Sequence, residues 1–139
     1  MSHTSLFRRK KILVVEDHVE LLELFRLHFR EEGFATATAT DGVEAVRKAR
    51  AILPDLILLD VMLPELDGFA VCELLRKHKK TRNIPIIMIS GLSGQLPRCA
   101  GIEAGATDFV SKPVTPAHIV ERVRQVFEQR AAAESALPA

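Results

Sequence analysis

A chain of 139 residues, 47% hydrophobic and 27% charged, has the size and composition of one globular domain that needs no disulfide or metal to hold a core. Its net charge of +1 excludes a general electrostatic pull toward nucleic acid or a membrane surface, and seven Phe with no Trp or Tyr disfavour a base- or sugar-stacking surface. Cys72 and Cys99 make no CxxC pair and read as free thiols of an intracellular protein.

Residues 1–10 read as a flexible basic N-terminus, with Arg8, Arg9, Lys10 and Lys11 a solvated cluster. The apolar run after it, Ile12–Val15, has only four residues, too short for a signal peptide. No run approaches the roughly 20 apolar residues of a membrane span, so a soluble, cytoplasmic protein is expected. Ile12–Val15 is the first predicted strand. Residues 18–31 then have helical spacing, with Leu21, Leu24, Phe25 and His28 on one stripe. Phe34–Ala39 is the second strand. Asp41 is a plausible N-cap for a helix over 41–51 that places Val43, Val46 and Ala49 together. Leu56–Leu59 and Ile84–Ile89 are almost continuously aliphatic, as strands buried on both faces of a parallel sheet are. Between them, 67–78 predicts a helix burying Phe69, Val71, Cys72 and Leu75. Gly91, Gly94 and Pro97 interrupt the segment after the fourth strand, so the fourth helix is expected to start late, near Cys99, or to be short. Thr107–Val110 is the fifth strand. Residues 115–130 predict a helix with Ile119, Val120, Val123, Val126 and Phe127 on its buried face. The domain is set at 11–130, and 131–139 reads as a flexible tail or the start of a linker.

Five βα repeats predict an α/β fold: a five-stranded parallel sheet with helices on both faces and right-handed crossovers. Ligands of such sheets bind beyond the carboxyl ends of the strands. There the first strand offers Glu16 and Asp17, the third Asp60, the fourth Ser90, and the fifth Ser111, Lys112 and Pro113. Three carboxylates at one edge repel one another, and a hard divalent cation such as Mg2+ removes that cost. Each residue also has a plainer reading. Asp17 fits a helix N-cap, Asp60 the opening of a turn at 63–65, Ser90 a loop hydroxyl, and Lys112 a surface lysine. Their coincidence at one sheet edge favours a site.

The segments ILVVEDH (12–18), PDLILLDVMLPELDG (54–68), IPIIMISG (84–91) and AGATDFVSKP (104–113) occur in order and in register, and by them the sequence resembles the receiver domains of two-component response regulators over residues 11–128. The resemblance implies a flavodoxin-like sheet of order 2-1-3-4-5. It implies Asp60 as phosphoacceptor, with Ser90 and Lys112 contacting the phosphoryl group. Glu16, Asp17, Asp60 and the Met62 backbone carbonyl are implied to hold Mg2+, with Mn2+ a substitute. Ser90 and Phe109 take the switch positions, and a cis peptide joins Lys112 to Pro113. The implied partners are a sensor histidine kinase or histidine phosphotransfer protein, a downstream effector or output domain, and a second copy on phosphorylation; direct nucleic-acid and membrane contact are not expected. No enzymatic turnover is implied beyond self-catalysed transfer and slow dephosphorylation, since Met62 and Leu92 cannot orient a water. Phe109 stands where the family commonly has tyrosine, and Gly91 where alanine is usual, so a mobile fourth helix is expected. Rival readings are a phosphatase of the haloacid dehalogenase type, disfavoured by Met62 where a second Asp is needed, and a Rossmann domain, disfavoured by the lack of GxGxxG. A receiver fold kept as a phosphorylation-independent interaction module, and the N-terminal receiver of a larger regulator, are the remaining alternatives.

Overall fold

The computed structural model describes residues 8–92 and 94–136; most of the expected flexible N-terminus and the last three residues of the expected tail lie outside them. Five strands, β1 (Lys11–Val15), β2 (Ala35–Ala39), β3 (Leu56–Asp60), β4 (Ile86–Ser90) and β5 (Asp108–Ser111), alternate with α1 (Val19–Glu31), α2 (Gly42–Ile52), α3 (Gly68–Lys77), α4 (Gln95–Ala104) and α5 (Pro116–Ser135). The sheet is parallel throughout, as the βα repeats predict, in the order β2-β1-β3-β4-β5 that the resemblance implies.

The aliphatic runs form the middle of the sheet because alternate side chains serve two cores. Leu13, Val15, Ile57, Leu59, Ile86 and Met88 face α2, α3 and α4. Ile12, Val14, Leu56, Leu58, Ile87 and Ile89 face α1 and α5. All twelve are fully buried, each contributing about 1.5–3 kcal/mol of transfer free energy.

Four helices depart from the sequence reading. In α1 the buried face is Leu22, Phe25 and Phe29, while Leu24 is exposed and His28 is half-buried. The predicted stripe lay one position off, because Leu at 21, 22, 24 and 27 allows several faces. Phe29, buried in the core that α1 shares with β1 and α5, decides among them. In α2, Asp41 caps as expected, its carboxylate accepting from the Glu44 N–H at 2.7 Å, but Val43 is 57% exposed and Ala45 takes its place in the core. α4 begins at Gln95 rather than near Cys99. Pro97 stands in its first turn, where a missing N–H breaks no intrahelical bond. α5 runs on to Ser135, past the expected boundary at 130; alanines at 131–133 sustain a helix without a buried face.

Arg76 ties the far end of this fold together. Its guanidinium donates to the carbonyls of Gly105 (2.8 Å), Ile84 (2.7 Å) and Arg82 (3.1 Å), joining the end of α3 to the approaches of β4 and β5. Arg76→Ala is expected to destabilise the domain by about 2–4 kcal/mol, since it strips charged donors from three carbonyls at once. Urea unfolding with an unchanged m value measures this; a loss within error of zero would show that water replaces the guanidinium freely.

Candidate functional site

The carboxyl edge of the sheet is where β1, β3, β4 and β5 end together. Glu16 follows β1 and is 1% exposed; Asp60 ends β3 at 2%; Ser90 ends β4, fully buried. Asp17 is exposed and adjoins them. One carboxylate oxygen from each of Glu16, Asp17 and Asp60 lies within 4.8 Å of the other two. The α1 N-cap is His18, not Asp17, and Asp17 is thereby left beside the other two carboxylates. Lys112 reaches in from the segment after β5, its Nζ 2.7 Å from Asp60 Oδ2 and 3.3 Å from Glu16 Oε1. The Lys112–Pro113 peptide is cis.

Backbone amides orient the acidic groups. The His18 N–H donates to Glu16 Oε2 at 3.1 Å, and the Met62 N–H to Asp60 Oδ1 at 3.0 Å. The second bond occupies Oδ1 and leaves Oδ2 for Lys112. Gly68 lets the loop return over the strand end. A Cβ there would sit 2.6 Å from the Asp60 carbonyl oxygen, too close for any other residue without displacement. Across the sheet, Ser90 Oγ accepts from the Leu92 N–H at 2.9 Å, and the Ser90 carbonyl accepts from the Lys112 N–H at 2.7 Å.

Three carboxylates face one ammonium. Burial pushes the Glu16 carboxyl up to about 7, with the neighbouring Asp60 adding to the rise. Burial opposes charge on Lys112 as well, but the carboxylates of Asp60 and Glu16 win and hold its pKa above the ordinary lysine value. A hard, oxygen-only donor set with excess negative charge fits a divalent cation such as Mg2+.

The sequence profile of the response regulator receiver domain matches residues 12–124. The chain belongs to the response regulator receiver domain family. The receiver is 40% identical over 120 residues to the alkaline phosphatase synthesis transcriptional regulatory protein PhoP of Bacillus subtilis (strain 168), a match covering 86% of this chain and 49% of PhoP. It thus spans about half the length of that relative. Among solved structures, the receiver domain of the Francisella response regulator 1452 superposes with a TM-score of 0.81 at 30% identity, covering 88% of this chain and 99% of that one. The receiver domain of the sensor histidine kinase PA1611 from Pseudomonas aeruginosa PAO1 superposes at 0.78 with 30% identity, covering 84% of this chain and 96% of that one. That structure has a magnesium ion coordinated in its active-site cleft.

Phe109, the expected switch residue of this receiver, lies inward at 1% exposure. The ring packs under α4. Gly101 makes the room, since a Cβ on it would lie 2.7 Å from Phe109 Cδ2. Sequence reading missed Gly101: a glycine inside a helix signals close packing but not its partner. Among the described residues, no helix is long and apolar enough to cross a membrane.

Proposed function

We propose that this receiver is the phosphoacceptor of a two-component phosphorelay, taking a phosphoryl group onto Asp60 from a phosphohistidine donor. The observation that carries the reading is the position of Lys112 Nζ, 2.7 Å from one oxygen of a nearly buried aspartate whose other neighbours are two more carboxylates. In this reading an Asp60 carboxylate oxygen attacks phosphorus, the O–P bond forms, and the P–N bond to the donor imidazole breaks. Mg2+ held by Glu16, Asp17, Asp60 and the Met62 carbonyl, or Mn2+ in its place, would supply the positive charge that screens the incoming phosphoryl oxygens from the carboxylates. Lys112 gives up its contact with Asp60 Oδ2 to pair with a phosphoryl oxygen, and the Ser90 hydroxyl donates to another.

Ser90 links the acceptor to the surface. Its Oγ holds the Leu92 amide at the start of the turn into α4, so drawing the hydroxyl toward a phosphoryl oxygen shifts that turn and the helix over Phe109. The outcome is a changed α4-β5-α5 face, read by an effector, an output domain or a second copy. The receiver acts in the cytoplasm as a switch, without substrate turnover. Release is slow because Met62 and Leu92, both exposed beside the site, have no group to orient a water.

Intact mass after incubation with acetyl phosphate tests this. With Mg2+ the protein is expected to gain about 80 Da, one phosphoryl group, held for minutes or longer after donor removal. Asp60→Asn and a chelator should each abolish the gain. A gain that survives Asp60→Asn would move the acceptor elsewhere.

A further inference from the structure

On the flank of the domain a groove of about 580 Å³ lies between α2 and α3. Val43, Val46, Ala51, Leu66 and Leu74 form the apolar part of its lining. Val43 is 57% exposed and Leu74 38%. Single exposed aliphatics are ordinary on protein surfaces, but here several line one concavity. Its charged lining residues are Arg47 and Arg50, one turn apart on α2; among the described residues, no carboxylate lines it. Arg47 lies at the outer limit of an ion pair with Glu44, 4.0 Å away, and its side chain is 67% exposed. Arg50 is exposed and, among the described residues, forms no ion pair.

We propose that the α2–α3 groove is a docking site for an acidic amphipathic helix of a partner protein. An apolar floor beside two such arginines is complementary to a helix whose leucine-type side chains at i, i+3/i+4 and i+7 are flanked by Glu or Asp. The arginines supply steering and register, and the floor supplies affinity. A basic partner would set like charge against both guanidinium groups, and a plain apolar one would desolvate Arg50 without a counter-charge.

The test is a ¹H–¹⁵N NMR titration of the full chain with three synthetic helices of about 18 residues, five turns each. One carries Leu on one face and Glu on the other; the second has Lys for every Glu; the third has Ser for every Leu. The acidic amphipathic peptide is expected to bind saturably, moving amides of α2 and α3. The two controls should bind at least about tenfold more weakly. Arg50→Glu and Leu74→Glu, both on the surface, should each weaken the acidic peptide by a similar factor. Equal binding of the Glu and Lys peptides would overturn the proposal, as would shifts centred on Leu96 and Ile102 of α4. Concentration-dependent shifts of the same amides without peptide would assign the groove to a second copy instead, and no shift at millimolar peptide would leave it no docking role.

Discussion

Lys112→Ala is expected to slow phosphoryl transfer from acetyl phosphate by about 10²–10³-fold, the range seen when one preorganised charge-stabilising donor is removed from a transition state. The ammonium stands 2.7 Å from Asp60 Oδ2 and 3.3 Å from Glu16 Oε1, already within the space a phosphoryl oxygen must share with Asp60. Little of the cost of arranging it falls in the reaction itself, since the Lys112 N–H bond to the Ser90 carbonyl anchors its backbone to the end of β4. Removing the side chain also leaves the carboxylates without the one cation paired with them among the described residues, so affinity for Mg2+ should rise as the rate falls. That opposite movement separates a lost charge contact from a collapsed site, in which both would fall. An unchanged rate would take Lys112 out of the transfer step and reduce it to a counter-ion of the resting acidic cluster.

The residues on which this depends were readable in the sequence because strand ends are readable. Leu56–Leu59 and Ile84–Ile89 are almost continuously aliphatic, as strands of a doubly covered sheet are, and within βα repeats the polar residues that terminate such strands gather at the sheet edge. What the sequence left open was decided by local geometry and packing that periodicity does not specify. Asp17 fitted an N-cap until His18 was found in that position. The α1 stripe was ambiguous because the helix is rich in Leu on several sides, and only the packing of Phe29 against Phe34, edge to face at 5.8 Å, selects one. Val43 looked like core because it has the right spacing with Val46. It is exposed because Gly42 must press against Leu66, which fixes the rotation of α2 at its first turn. With that rotation Val43 joins the lining of the groove between α2 and α3, a surface invisible to periodicity. Pro97 misled in the other direction: its position in the chain reads as a break, and its position in the helix as an acceptable first turn.

In the absence of divalent cations, stability is expected to fall as pH rises from about 4.5 to about 7. The cause is Glu16, whose buried carboxyl titrates near 7 in the folded chain against 4.5 when exposed. Between those values the folded protein holds a proton that the unfolded chain has released, so raising the pH favours unfolding. The contribution is complete below the unfolded pKa and gone above the folded one, and it amounts to on the order of 3 kcal/mol. Glu16→Gln should remove this slope and make the metal-free protein more stable than wild type at pH 8, because a buried charge is replaced by a neutral amide of the same shape. Added Mg2+ should act oppositely on the two proteins. It should stabilise wild type increasingly as pH rises, since a cation needs the deprotonated carboxylate, and stabilise Glu16→Gln much less. Thermal unfolding of both proteins from pH 5 to pH 8, with EDTA and with Mg2+, measures all of these effects. Parallel pH profiles for the two proteins in EDTA would show that Glu16 is already ionised by its contact with Lys112. The acidic cluster would then be neutralised in the resting protein by its lysine alone, and the cation would be needed only when a phosphoryl group arrives.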